Sequence, residues 1–171
     1  MSNSGDAVPA VPIGLIAGNG TFPFLVLRAA RELGHDVAVV AISGEAFPEL
    51  ETLAKEVGRT SFVWVELGAL GKCIAALKDA GASRAVMAGQ VKHVKIFSDF
   101  MPDLTLLSVI RRLTSQNTGS LIAAVADLMQ EKGVRLLDPT PFLAPLLAAA
   151  GTLTQRTPDA REQADLAFGY T

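Results

Sequence analysis

The sequence predicts an α/β fold, a doubly wound parallel sheet of about five strands in the order 3-2-1-4-5 with helices on both faces. Short apolar runs alternate with segments of helical periodicity, a pattern that is typical of βαβ units. The first apolar run, Ile13–Ala17, ends in a glycine turn, as a buried strand that leads into a helix does. Right-handed crossovers and the usual winding then place strand one between strands two and four.

The individual elements follow from periodicity and from stop signals. Strands are expected at five apolar runs, Ile13–Ala17, Asp36–Ile42, Ser61–Val65, Arg84–Ala88 and Val134–Leu137. Helices are expected at about Pro23–Leu33, Ala69–Ala80, Asp103–Leu113 and Thr118–Lys132, with a short capping helix at Pro141–Ala150 and a last helix at Asp159–Tyr170. Phe47–Val57 is expected to be a polar segment with a helical turn. Glycines at 34, 81 and 133 mark helix ends, because glycine readily adopts the left-handed conformation found there.

Length and composition limit the class of protein. A chain of 171 residues is enough for one domain, and with 50% hydrophobic and 19% charged residues it is not expected to be disordered. Its net charge of −2 argues against broad electrostatic binding of nucleic acid. Met1–Pro12 is small and polar, which predicts a disordered leader rather than a signal peptide. The apolar stretch Pro141–Ala150 is too short to span a bilayer.

The chain has one cysteine, Cys73, so no intrachain disulfide is possible and a reducing, cytoplasmic compartment is expected. Leu70, Cys73, Ile74 and Leu77 recur at helical spacing, which favours a buried structural thiol over a nucleophile.

The first candidate binding loop is Gly18-Asn19-Gly20-Thr21-Phe22-Pro23. Backbone N–H groups at such a turn, and the helix N-terminus behind it, favour phosphate. The loop is close to the dinucleotide fingerprint, but Pro23 stands where its third glycine belongs, which argues against NAD. Proline suits the first turn of a helix instead. The alternative is a plain tight connection.

The second candidate loop, Gly89–Lys95, follows strand four. Gly89 permits close backbone approach, and the Gln90 amide both donates and accepts hydrogen bonds, as recognition of a nucleobase or ribose requires. Lys92, His93 and Lys95 place cations beside the expected phosphate, although a solvated basic loop explains them equally simply. In the predicted winding the two loops lie across one crevice at the carboxyl ends of strands one and four.

Other polar residues have simpler explanations. Asn117 or Thr118 fits the N-cap of the longest helix, and an anion-facing edge is the functional alternative. Asp138, followed by Pro139, is expected to form a turn. The acidic residues that could lie near the crevice have no convincing partners and predict no metal site; they are Glu45, Asp99, Asp103 and Asp138.

Four segments together resemble the amino-terminal domain of the LpxI-type UDP-2,3-diacylglucosamine pyrophosphatases. They are Ile13–Pro23, Ala88-Gly89-Gln90-Val91-Lys92, Met101-Pro102-Asp103 and Glu131-Lys132-Gly133-Val134. The resemblance implies a Rossmann-like nucleotide-binding domain at 13–150 and a linker or helix at 151–171 that leads to a carboxy-terminal catalytic domain. The acidic E-G-T-D-like motif of that domain does not occur in this sequence.

The resemblance also implies an activity, the hydrolysis of UDP-2,3-diacylglucosamine to lipid X and UMP in lipid A biosynthesis. The expected cofactor is a divalent metal such as Mg²⁺, bound mainly by the carboxy-terminal domain, so the chain alone is expected to be inactive. A cytoplasmic location with transient contact at the inner membrane fits that substrate.

Residue by residue, the resemblance assigns two sets of contacts to substrate. Gly18, Asn19, Gly20 and Thr21 line the nucleotide-diphosphate side of the cleft, and Gln90 and Lys92 come from the facing loop. The family often has an acidic residue where this chain has Gly119, so the side chain that would make that residue's contact does not occur here. The alternatives are a non-catalytic nucleotide- or phosphate-binding module and a dinucleotide-dependent oxidoreductase.

Overall fold

The structure, a computed structural model, describes residues 11–91, 101–111 and 118–170. The strands are β1 (Ile13–Ala17), β2 (Val37–Ile42), β3 (Thr60–Val65), β4 (Arg84–Ala88) and β5 (Arg135–Leu137). The described helices are α1 (Phe22–Glu32), α2 (Glu49–Val57), α3 (Leu70–Asp79), α4 (Leu104–Ile110), α5 (Thr118–Glu131) and α6 (Ala160–Gly169). A 3₁₀ segment follows β5 at Thr140–Leu146.

The predicted topology is confirmed. The five strands form one parallel sheet in the order β3-β2-β1-β4-β5. All five residues of the central strand β1 are buried, because both faces of the sheet are covered by helices at that point. Ends of elements agree with the sequence prediction to within two residues where both lie within the described residues, and the helical turn expected in Phe47–Val57 is a full helix, α2. The expected capping helix at Pro141–Ala150 is instead the shorter 3₁₀ segment. The predicted leader lies largely outside the described residues.

The core consists of two layers, one on each face of the sheet. Alternate strand residues point to opposite faces, so Leu15 packs with α1 and α2 whereas its neighbour Ile16 packs with α3 and α5. The second layer includes Leu77 and Met129, both fully buried. These layers hold the sheet rigidly and leave its carboxyl edge, where β1, β2 and β4 end, to the loops.

Candidate functional site

The loops that follow β1 and β4 begin side by side at the carboxyl edge of the sheet. The sequence predicts that Gly18–Pro23 and Gly89–Lys95 lie across one crevice, and residues 92–95 of the second loop lie outside the described residues. β1 and β4 are parallel neighbours with Ala17 opposite Ala88, so Gly18 and Gly89 leave the sheet at the same level. The sheet order therefore brings the starts of the two candidate loops together.

The two loops are joined directly by backbone hydrogen bonds. The Asn19 N–H donates to the Gln90 carbonyl at 2.7 Å, and the Gln90 N–H donates to the Asn19 carbonyl at 2.9 Å. A Cβ added at Gly18 would lie 2.5 Å from the Gln90 carbonyl oxygen, and one added at Gly89 would lie 2.6 Å from the Asn19 carbonyl oxygen. Both glycines are thus required by backbone contact, and a ligand at this edge must lie over the bridge rather than between its backbones.

Asn19 also ties the loop after β2 to this bridge. Its side-chain Nδ2 donates to the backbone carbonyl of Glu45 at 3.0 Å, so this amide group has a structural role. Glu45 is a buried charged residue, with 2% of its surface exposed, at the same edge of the sheet. Sequence reasoning considered Glu45 only as a metal ligand, and nothing in the local sequence indicates its burial.

Gly20 and Thr21 form the open part of the first loop. Gly20 has a φ of +101°, and a Cβ added there would meet no atom within 4 Å, so the space above it is free of protein among the described residues. Thr21 is exposed and precedes α1 without making a side-chain capping bond. Pro23 is buried in the first turn of α1, the position that the sequence predicts for it.

The remaining predicted contacts divide into two groups. Gln90 is exposed at the edge beside Asn19, so its side chain is available to a ligand. Lys92, His93, Lys95 and Asn117 lie outside the described residues, and Thr118 is described only as the first residue of α5. The structure therefore brings together Gly18, Asn19, Gly20, Thr21, Gly89 and Gln90.

An apolar cavity adjoins the loop bridge on the α3 and α5 face of the sheet. It has a volume of about 210 Å³, and almost all its lining side chains are apolar. Gly18 and Gly89 line the side of the cavity next to the loops. Ile42 and Val65, the last residues of β2 and β3, line its floor. Ile122 of α5, at 49% exposure, stands at its rim. Sequence reasoning missed this cavity, because its lining comes from strand ends and helices far apart in the chain.

Cys73 contributes to the cavity wall as a neutral thiol. It is buried in the core layer under α3, and burial raises its pKa from 9.0 to about 12, because the thiolate would lose its hydration. The prediction of a buried structural thiol is confirmed.

The described acidic residues near this edge do not fit a metal ion. The Asp103 carboxylate accepts the N–H of Gly71 at 2.7 Å and that of Leu106 at 2.8 Å, so it caps both α3 and α4. Asp138 accepts both the N–H and the hydroxyl of Thr140, which lowers its pKa and confirms the predicted turn. Within the described ranges, no group of three His, Cys, Asp or Glu side chains could hold a metal.

No helix in the described part of the chain is long and apolar enough to cross a membrane.

No curated protein matches the sequence. A solved structure that matches is a UDP-glucose-4-epimerase from Stenotrophomonas maltophila with bound NAD and formylated UDP-arabinopyranose. It is 17% identical, with a TM-score of 0.48 and coverage of 94% of this chain. The chain spans 50% of the length of that epimerase.

A family model gives the more specific result. The model of the LpxI N-terminal domain matches residues 12–146, which is most of the chain and includes both candidate loops and the strands that position them. The protein therefore belongs to the LpxI family through this N-terminal domain.

Proposed function

We propose that this chain is the nucleotide-binding part of a UDP-2,3-diacylglucosamine pyrophosphatase of lipid A biosynthesis. One observation carries the proposal beyond family membership: the polar loop edge and the apolar cavity share Gly18 and Gly89 as a common wall. A nucleotide sugar with acyl chains has the same division, since its diphosphate needs hydrogen-bond donors and its chains need an apolar surface. The two halves of the site would bind the two halves of such a ligand.

The loop edge would hold the nucleotide diphosphate. Open space above Gly20 gives an anion access to the N-terminal end of α1, where backbone N–H groups and the helix dipole favour negative charge. The exposed amide of Gln90 can donate to a ribose or base oxygen on the other side of the bridge. The fused loops fix the distance between these two contacts before the ligand arrives, which lowers the entropic cost of binding.

The chemistry itself needs residues beyond those described. Family resemblance implies a divalent metal, but the Asp103 and Asp138 carboxylates are engaged in helix caps and a turn, and the described residues offer no group of three side chains that could hold one. We therefore assign to this chain the binding and orientation of substrate, and no step of the hydrolysis.

Calorimetric titration of the 171-residue chain tests the proposal. UMP and UDP should bind with dissociation constants near millimolar, about 4 kcal/mol, because in this proposal the domain supplies only some of the substrate contacts, and NAD should bind more weakly. No hydrolysis of UDP-2,3-diacylglucosamine is expected with any divalent metal. Tighter binding of NAD than of UDP would contradict the nucleotide-sugar assignment and favour an oxidoreductase, whereas turnover by the purified chain would show that the catalytic residues have been misplaced.

A non-catalytic phosphate-binding module is the second candidate. The lack of a carboxylate cluster among the described residues favours it. Inorganic phosphate separates the two proposals, because a phosphate module should bind it as tightly as UDP. The pyrophosphatase domain should prefer UDP through the Gln90 side of the loop edge.

A further inference from the structure

The two edges of the sheet differ in how they are protected. β5 has three residues and begins with the charged Arg135, and such a short, charged edge discourages pairing with another strand. β3 has six residues, Thr60–Val65, with no charge and no proline. Its residues have high β-propensity, and one row of its backbone groups has no neighbouring strand among the described residues. An edge of this kind is a template for a further strand.

The α3 side of β3 forms a groove beside this edge. α3 leaves Ser61 and Val63 of β3 uncovered, and Val63 is 41% exposed. The groove has a volume of about 530 Å³, and four α3 residues form its wall: Lys72, Ala75, Ala76 and Asp79. These positions are spaced i, i+3, i+4 and i+7, so they share one face of the helix. The groove thus has an apolar strand at its floor. Its wall is a helix face with two small alanine side chains between a lysine and an aspartate.

We propose that β3 pairs antiparallel with β3 of a second copy of this chain, about a two-fold axis that is perpendicular to the sheet and passes midway between the two Val63 residues. Such an axis keeps equivalent faces of the two sheets on the same side. It places Val63 opposite Val63 on the α3 face, and Trp64 of each copy opposite Phe62 of the other on the α2 face. Aromatic cross-strand pairs stabilise antiparallel sheets, so the strand is complementary to itself in this register.

The same two-fold axis also makes the α3 walls of the two grooves complementary to each other. A two-fold axis makes the two α3 helices antiparallel, so Lys72 of each copy faces Asp79 of the other while Ala75 faces Ala76. Lys72 precedes Ala75 by three residues, and Asp79 follows Ala76 by three residues. When the alanines of the two copies face each other, each lysine therefore lies opposite an aspartate and two ion pairs form. Small alanine side chains allow close approach of the helices. This charge pattern is what selects a second copy rather than an unrelated strand, and it is independent of the proposed function.

Sedimentation equilibrium of the full 171-residue chain tests the pairing. The parent chain should dimerise at micromolar concentrations. Val63→Lys should weaken the dimer by at least about tenfold, because it places two like charges opposite each other at the axis. Lys72→Asp and Asp79→Lys should each weaken it roughly tenfold, since each replaces two attractions with two repulsions. The double variant, which exchanges the two charges, should restore dimerisation.

Lys78→Asp is the matched control. It makes the same charge change on the same helix at an exposed residue outside the groove, and dimerisation should be unchanged. Circular dichroism should show that each variant remains folded, as expected for substitutions at exposed positions. A monomer throughout the micromolar range would overturn the proposal. So would a dimer that Val63→Lys leaves intact, or a double variant that associates no better than the two single variants.

Discussion

At the scale of single residues, three glycines of the candidate loops serve two different purposes. Gly18 and Gly89 leave room for a facing backbone carbonyl, whereas Gly20 has open space around it and a φ of +101°. The sequence motif alone does not distinguish these purposes, because it shows only that a glycine is present and not whether a facing backbone or a ligand requires it. Only Gly20 is therefore a clean probe of ligand binding.

We expect Gly20→Val to reduce uridine nucleotide binding by at least roughly tenfold. Its side chain would occupy the open space at the start of α1, and a β-branched residue does not readily adopt a positive φ. Backbone strain should also cost about 1–3 kcal/mol of folding free energy. Titration calorimetry and thermal unfolding of the same sample measure the two effects.

Gly34→Val is the matched control for this substitution. Gly34 lies at the other end of α1, has a φ of +84°, and also has no atom within 4 Å of an added Cβ. The control should lose comparable stability but keep nucleotide binding. If both variants bind UDP like the parent, the first loop is a tight turn and not a phosphate site.

The Cys73 thiol predicts how stability depends on alkaline pH. Because its pKa is about 12 in the folded chain against 9.0 for a free thiol, unfolding releases a proton between these values. The stabilisation is complete below pH 9 and is lost as pH rises towards 12, by about 1.4 kcal/mol per pH unit. Cys73→Ala should remove this part of the slope in denaturant titrations from pH 8 to 11. An identical slope in parent and variant would show that the folded thiol ionises normally.

At the scale of elements, Asp103 connects two helices that border the cavity. One oxygen of its carboxylate caps α4 by accepting the Leu106 N–H, and the other accepts the Gly71 N–H in the first turn of α3. Asp103 of the segment Met101-Pro102-Asp103 therefore fixes the start of both helices. The acidic residue that sequence reasoning tested as a metal ligand is a structural cap.

Asp103→Ala should destabilise the fold by about 1–3 kcal/mol, since it removes two capping bonds to charged oxygens. The unfolding temperature should fall by about 2–4 °C for each kcal/mol in a domain of this size. Asp159→Ala is the control, because Asp159 caps α6 in the same way but no residue of that helix is buried. Equal shifts in the two variants would mean that the bond between Asp103 and α3 contributes nothing.

The order of the strands and helices could be predicted from the sequence, but the shape of the candidate site could be predicted only in part. Alternating apolar runs and glycine stops such as Gly34 are local signals, and the winding rule converts them into a sheet order. The meeting of Gly18 with Gly89 follows from that order. The Asn19–Gln90 bridge, the burial of Glu45 and the apolar cavity depend on contacts between distant segments, which no local pattern encodes.

At the scale of the whole molecule, the site is a polar edge fused to an apolar cavity, and the two parts should be separable by substitution. Ile122→Glu places a charge at the rim of the cavity at a position that is already half exposed, so the fold should be retained. It should weaken binding of UDP-2,3-diacylglucosamine roughly tenfold, because an acyl chain would then contact a charge. UMP binding should not change, since the loop edge is untouched.

Leu33→Glu is the control for this separation. Leu33 is 60% exposed at the far end of α1, away from both loops and the cavity, so this variant should bind both ligands like the parent. A selective loss in Ile122→Glu alone would identify the cavity as the part of the site that distinguishes the acylated ligand from its nucleotide. If the binding of UMP and the binding of the acylated ligand weaken together, the charge at position 122 affects the loops that bind the nucleotide. If neither weakens, the acyl chains bind elsewhere, and the cavity has no part in choosing the substrate.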